Sequence, residues 1–239
     1  MKKLFGSTAL GAVVLFTTAA LAADPVYPVY KDFVPPYIPP VDEGLQGSFY
    51  LRGSVAGNTS WAREAVHTGT GDSFSIIENG WGYSAGIGAG YETGTGLRFD
   101  ATVDYLSNRG MTAELPDGDH ELDLRSTIVL ANAYYDFGLT DLGLSAAGGA
   151  FGYVGAGVGV AFNESRVEDS VGYGPWGSNT SLAAAGMAGV GYDFGALVAD
   201  LGYRALYIDE IENTNEVPDE YRIDDTWVHE VRATLRYRF

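Results

Sequence analysis

The feature that most constrains this 239-residue chain is a two-residue alternation of apolar and polar side chains that returns eight times after Gly47. Successive side chains of an extended strand point to opposite faces, so period two is the signature of β structure. In "LRFDATVDYL" Leu97, Phe99, Ala101, Val103 and Tyr105 oppose Arg98, Asp100, Thr102 and Asp104. The final segment, "HEVRATLRYRF", sets Val231, Ala233, Leu235, Tyr237 and Phe239 against Glu230, Arg232, Thr234, Arg236 and Arg238. The other six are "GSFYLRGSVAG", "GYSAGIGAGY", "TIVLANAYYDF", "YVGAGVGVAF", "LAAAGMAGVGYDF" and "LVADLGYRALY". Ile128 and Leu130 fall on the polar parity and blur the fourth of these eight. The 33 Gly and 16 Tyr are unusual for a helical or ordinary α/β protein and agree with this reading.

Alternation alone fits two opposite arrangements. A sandwich in water turns the apolar face to a core, whereas a barrel in a membrane turns it outward to lipid. Connection lengths select the barrel: 58–81, 107–121, 163–180 and 208–226 read as long polar loops, while Glu92–Gly96 and the Gly195 turn are tight. The aromatics agree. Tyr91, Phe99, Tyr135, Phe137, Tyr192, Phe194, Tyr237 and Phe239 collect at one set of strand ends; Tyr83, Tyr105, Phe162, Tyr207 and Trp227 collect near the other. Two girdles around an Ala/Val/Leu/Ile band suit a bilayer, where amphipathic rings settle at the interfaces. The expected fold is all-β: an eight-stranded antiparallel up-and-down transmembrane β-barrel over 47–239.

This facing assigns the charges. Arg52, Arg98, Arg204, Arg232, Arg236 and Arg238 share the inward parity with Asp100, Asp104, Asp136, Asp193, Asp200 and Glu230, giving a balanced lumen charge network. A charge on the lipid face near mid-membrane would cost about 2–4 kcal/mol. Leu235→Arg is therefore expected to disrupt assembly far more than Arg236→Leu. The inward glycines Gly86, Gly88, Gly155, Gly157 and Gly159 read as space for facing Arg and Tyr side chains, in preference to a narrow water path.

Residues 1–22, with Lys2 and Lys3, an apolar run and Ala20-Leu21-Ala22, read as a cleaved signal peptide and imply export. Residues 23–46 hold Pro25, Pro28, Pro35, Pro36, Pro39 and Pro40 and read as an extended periplasmic linker or tether outside the main fold. No later stretch offers about 18 consecutive apolar residues, which excludes a helical membrane protein. With no Cys, disulfides and thiolate metal sites are excluded as well. A net charge of −17, more negative once Lys2 and Lys3 are removed, makes nucleic acid an unsuitable partner.

The segments "YVGAGVGVAF", "VGYDFG", "LGYR" and above all "HEVRATLRYRF" resemble the opacity-like surface-antigen family of Gram-negative outer-membrane β-barrels, also called porin family proteins. The resemblance covers 47–239 and implies location in the cell outer membrane. It also implies insertion by the outer-membrane assembly machinery, which reads a last strand ending in an aromatic, here Tyr237 and Phe239. In some relatives a mature Ala-Asp terminus is joined to peptidoglycan, which carries over to Ala23 and Asp24.

Function then divides into three readings. The first is a structural surface protein of the envelope, monomeric, in contact with outer-membrane lipid and lipopolysaccharide and tethered to peptidoglycan through its mature terminus. The others are a narrow porin-like diffusion channel and an adhesin acting through acidic loops. An eight-stranded barrel is just wide enough to be filled by its own side chains, which disfavours a wide pore. An enzyme is not expected: His67 and His120 lie in predicted loops, and nothing in the sequence requires Ser126 or Ser181 to approach His229. No cofactor, catalytic residue or metal ligand is assigned. The acidic stretch Asp209, Glu210, Glu212, Glu216, Asp219, Glu220, Asp224 and Asp225 reads as a solvated rim, since its spacing matches no calcium loop.

Overall fold

The computed structural model describes residues 47–115, 118–139, 149–168, 172–213, 215 and 221–239; the expected signal peptide and the Pro-rich segment, Ala23 and Asp24 included, lie outside them. Among the described residues ten strands run in chain order: β1 (Ser48–Trp61), β2 (Glu64–His67), β3 (Ser73–Glu78), β4 (Gly80–Glu92), β5 (Leu97–Leu115), β6 (Gly118–Gly138), β7 (Gly149–Glu168), β8 (Gly177–Asp193), β9 (Leu197–Asn213) and β10 (Tyr221–Arg238). Eight of them form an antiparallel ring in the order β1-β4-β5-β6-β7-β8-β9-β10, and β10 closes on β1 from Tyr50↔Arg238 to Trp61↔Trp227. Closure leaves no sheet edge through the middle of the wall, which a lipid environment requires of β structure.

The alternation gives the wall its two faces. Leu51, Val55, Ile87, Val103, Val158, Leu182, Val190, Leu201, Val231 and Leu235 are all exposed on the outside, whereas Arg98, Asp104, Arg204, Glu230, Arg232 and Arg236 are buried inside. Rings bracket the apolar band. Phe49 packs against Tyr91 and Tyr192 against Phe194 at the end bearing the tight turns, with centroids 5.1 and 4.6 Å apart; Tyr207 packs against Trp227 near the other rim at 5.3 Å. Short turns mark the periplasmic side of such barrels. One of them depends on Gly195, whose φ of +98° would strain any side chain, and Asp193 accepts the Gly195 N–H at 2.7 Å.

The stretches expected as long loops are, for most of their described length, strand. β5 and β6 continue to Leu115 and from Gly118, β7 reaches Glu168, β8 starts at Gly177, and β9 and β10 extend to Asn213 and from Tyr221. At about 3.3 Å per residue, the 21 residues of β6 span roughly 70 Å, far more than an apolar band about 25 Å tall requires even with tilt. On the outer face of β6 the apolar run from Phe137 gives way to Arg125, Asp123 and Glu121. The sheet therefore leaves the bilayer and continues into water. β2 and β3 continue it where β1 and β4 stop: β2 pairs with β10 on the same offset as β1, Tyr221↔His67 following Trp61↔Trp227, and β3 pairs irregularly with β5.

One seam is open. The ladder between β8 and β9 runs from Asp193↔Val198 to Ala183↔Ile208 and stops, although both strands continue upward. Asparagines span the gap instead. Asn163 and Asn179 both donate to the Glu210 carbonyl, at 3.1 and 3.0 Å, and Asn213 donates to the carbonyls of Ser165 and Pro175, each at 3.1 Å.

Candidate functional site

The inward residues form layers along the barrel axis. Nearest the periplasmic turns, Arg98 grips Asp136 with both prongs of its fork, Nε at 3.1 Å and NH2 at 3.0 Å. Its guanidinium lies 4.0 Å over the Tyr134 ring and within 6.0 Å of the rings of Tyr50 and Tyr153. Arg236 donates to Glu92 and lies 3.8 Å from Asp136 and 3.6 Å from Asp200, between the rings of Tyr50 and Phe151. Arg238 reaches Asp193 at 2.6 Å and Glu92 at 2.7 Å. One step up, Asp100 accepts from Arg52 at 2.9 Å, Tyr50 at 2.8 Å and Asn132 at 2.7 Å.

A second group stands above the first. Asp104 accepts from Arg204 at 2.8 Å and Arg232 at 2.6 Å; Glu230 accepts from Arg204, from Arg232 at 3.0 Å and from Ser84 at 2.6 Å. All twelve sequence-selected residues thus face the lumen, divided into two clusters. Glu92, at the end of β4, is a seventh carboxylate that the alternating run "GYSAGIGAGY" stopped short of. The six guanidinium groups are therefore outnumbered by one, and the lumen is not the balanced set expected.

Glycines make room for these side chains. A Cβ on Gly155 would sit 2.3 Å from the Tyr134 ring, on Gly157 2.0 Å from Asn132, on Gly86 2.0 Å from Asp104 and on Gly202 2.0 Å from the Tyr153 hydroxyl. Space left by glycine is filled by the side chain of a neighbouring strand. A cavity between the two charge clusters, lined by Arg52, Tyr134, Tyr153, Met187, Arg204 and Arg232 among others, measures about 10 Å³. That is roughly the space one water needs.

Above the charges the lumen turns apolar. Leu106, Ile128, Leu130, Leu206, Ile208 and Val228 are inward and at most 1% exposed, with Ala161, Ala183 and Ala185 beside them. Ile128 and Leu130, the residues that blurred the alternation of β6, belong to this plug. A polar tier of Ser60, Asn108, Ser126 and Asn163 follows, and then Met111, Leu122, Leu124, Ile211 and Ile223 fill the extended part of the barrel.

Ser126 and Ser181 are engaged away from His229: Ser126 donates to Asn163 at 2.7 Å, and Asn163 donates to Ser181 at 2.9 Å. His229 faces outward, its Nδ1 2.5 Å from the Tyr203 hydroxyl and its ring stacked between Tyr203 and Trp227. Tyr237 and Phe239 are exposed at the base of the outer wall, where the Phe239 N–H closes on the Phe49 carbonyl at 3.0 Å. Of the acidic stretch, Asp209, Glu210 and Glu212 are on β9 and Asp224 and Asp225 on β10, whereas Glu216, Asp219 and Glu220 lie outside the described residues. Among the described residues no group of acids and histidines is arranged to hold a metal ion.

No family model matches the chain. Uncharacterized proteins of Brucella abortus (strain 2308) and Brucella melitensis are 26% identical to it, with 85% of this chain and 89% of each relative covered. Among solved structures, the crystal structure of Neisserial surface protein A (NspA) matches with a TM-score of 0.52 and 23% identity, covering 80% of this chain and 97% of that one. The outer membrane protein OprG from Pseudomonas aeruginosa matches with a TM-score of 0.47 and 14% identity, covering 81% and 97%. The likeness to NspA carries the fold, which is the eight-stranded outer-membrane barrel that the sequence resemblance implied. Its exposed apolar wall between two aromatic girdles is the surface of a protein of the outer membrane.

Proposed function

We propose that this protein is a non-conducting, non-enzymatic structural barrel of the outer membrane, monomeric, that contributes to envelope integrity from its outer surfaces and its N-terminal tether. The observation that carries this reading is the plug of Leu106, Ile128, Leu130, Leu206, Ile208 and Val228 lying across the lumen directly above a filled charge network. Ions crossing such a barrel would have to shed water against side chains that offer no polar replacement, at a cost of several kcal/mol or more. Among the described residues the surfaces left for function are the lipid-facing wall and the strands that rise above it, and the N-terminal segment adds a third. Exposed Tyr237 and Phe239 suit recognition by the outer-membrane assembly machinery. Ala23-Asp24, following Ala20-Leu21-Ala22 and preceding a proline-rich spacer, suits attachment to peptidoglycan.

Two measurements test it. Refolded protein in planar bilayers is expected to add no resolved current steps; discrete steps that persist after repurification would replace this reading with the narrow channel. Sacculi boiled in detergent and digested with muramidase are expected to yield an Ala23-Asp24 peptide carrying a muropeptide. Recovery of all Ala23 termini free in the membrane fraction would remove the tether.

A further inference from the structure

We infer that the outer wall carries a binding site for the phosphorylated saccharide headgroup of an outer-leaflet glycolipid, with Arg125 as its phosphate-binding group. This inference deepens the proposed role and rests on the barrel spanning the outer membrane. The site is a concavity of about 440 Å³ whose outward-facing lining includes Tyr105, Arg125, Thr127, Phe162, Glu164 and Thr180, with Ser126 and Asn163 of the lumen's polar tier also bordering it. Its floor is the cross-strand row Tyr105↔Thr127↔Phe162↔Thr180, and the row above is Ser107↔Arg125↔Glu164↔Ser178. Tyr105 and Phe162 belong to the girdle on the side away from the short turns, so the concavity opens at the depth where headgroups meet acyl chains.

The charges there run against the rest of the chain. Three arginines, Arg109, Arg125 and Arg166, project from adjacent outer strands of a protein whose net charge is −17. Two of them are engaged: Arg166 pairs with Asp123 at 2.8 Å and lies over the rings of Tyr173 and Trp176, and Arg109 lies 3.6 Å from the same carboxylate. Arg125 differs. Its guanidinium is held 4.5 Å from the Trp176 ring, and among the described residues no carboxylate is within ion-pair distance of it, although Glu164 is its register partner. Stacking fixes the plane of the fork and leaves its N–H edge for a ligand, and a planar fork matches phosphate geometry.

Glu164 narrows the choice of anion. As the cross-strand neighbour of Arg125 it repels any phosphate alike, and what favours a saccharide-borne one is that the carboxylate accepts hydroxyl and amide donors such as those of an acylated amino sugar. Beneath the concavity, the exposed rings of Tyr105 and Phe162 and the side chains of Val129 and Leu182 offer acyl chains an apolar wall. The occupant is therefore a phosphorylated glycolipid, bound at its headgroup by Arg125 and along its chains by the outer wall.

The test uses full-length mature protein refolded in dodecylmaltoside and titrated with diphosphorylated lipid A, with its enzymatically dephosphorylated form and with inorganic phosphate, bound lipid being counted by native mass spectrometry. Wild type should hold the diphosphorylated lipid at least about tenfold more tightly than the dephosphorylated one, as expected for a charge-assisted contact. Arg125→Ala should remove that preference, Arg125→Lys should restore part of it, and Arg63→Ala, an exposed arginine outside the concavity, should leave it unchanged. Equal binding of the two lipids by wild type overturns the inference and needs no variant. Inorganic phosphate competing at the same concentrations as the lipid overturns the glycolipid assignment. Failure to insert into liposomes or to show heat-modifiable migration would instead count against the membrane-barrel reading on which the site depends.

Discussion

Arg98 and Asp136 meet inside the barrel as a bidentate pair, with the guanidinium lying 4.0 Å over the ring of Tyr134. Both side chains are almost wholly removed from solvent, so each holds its charge only through the other and a few neighbours. Removing one partner of a buried pair typically costs about 3–5 kcal/mol because the remaining charge is uncompensated, whereas replacing both by apolar groups of similar volume is often neutral. Asp136→Ala should therefore lower the urea midpoint of the barrel in detergent strongly. Arg98→Leu combined with Asp136→Leu should cost less than the two single changes added together, which a double-mutant cycle measures. Strict additivity would mean that the pair does not act as a unit.

Leu235 and Arg236 are neighbours on opposite faces of β10, and their surroundings argue for a different ranking in stability from the one expected for assembly. Alternation predicts that Leu235→Arg is much the worse change. Yet Arg236 is fully buried beside Glu92, Asp136 and Asp200, while Leu235 lies one step inside the periplasmic girdle, where a lipid-facing charge costs less than at the midplane. Arg236→Leu should fold but unfold at clearly lower urea, and Leu235→Arg should be milder. The stricter test of facing is Val158→Arg, on an exposed residue far from both girdles, with an expected loss of about 2–4 kcal/mol.

The parts of the fold that were legible in the sequence are those where lipid enforces a rule. Between the girdles an outward side chain must be apolar, so Leu97 to Tyr105 alternates cleanly and the facing of Arg98, Asp100 and Asp104 follows. Above the bilayer both faces of the wall meet different demands. The continuation of β5 through "SNRGMTAEL" has water outside and an apolar filling inside, with a register shift between Asn108 and Met111, and no simple period survives. The plug was hidden for a related reason. Ile128, Leu130, Leu206 and Ile208 share a parity with charged residues lower on the same strands, and alternation reports which face a residue occupies without reporting what fills that face at each height. Glu92 was missed because it closes a strand at a turn, and the Arg125 site because it joins residues of β5, β6, β7 and β8 that are distant in sequence.

Gly159 and Gly53 give opposite answers to the same substitution. A Cβ at Gly159 would lie 1.9 Å from the backbone carbonyl of Val129 across the β6–β7 pairing, where no rotamer change relieves it, whereas a Cβ at Gly53 meets nothing within 4 Å on the outer wall. Gly159→Ala should destabilise by about 1–3 kcal/mol, as other overpacked positions do. Gly53→Ala should be neutral within about 0.5 kcal/mol. Folded yield and urea midpoint of the two variants, read side by side, separate a role of the lumen glycines in close packing from a general preference for small residues.

Asn213 holds the open seam between β8 and β9, and its environment makes the consequence of losing it specific. The side chain is fully buried, donates to the carbonyls of Ser165 and Pro175 and accepts the Asn215 N–H at 2.9 Å. Gly177 lies so close that a Cβ added there would fall 2.1 Å from the Asn213 oxygen. Because no backbone ladder joins the two strands above Ala183↔Ile208, Asn213→Ala would leave buried carbonyls without donors, at about 1–3 kcal/mol for each unsatisfied group. The loss should be local, since the charge clusters and the plug lie lower in closed wall. Hydrogen exchange should accelerate over 177–182 and 209–213 while the strands around Asp104 and Arg232 keep their protection. Asn213→Asp should behave at least as badly, as it sets a carboxylate oxygen against two carbonyls. Unchanged exchange in both variants would mean that Asn163 and Asn179, through the Glu210 carbonyl, suffice to hold the seam.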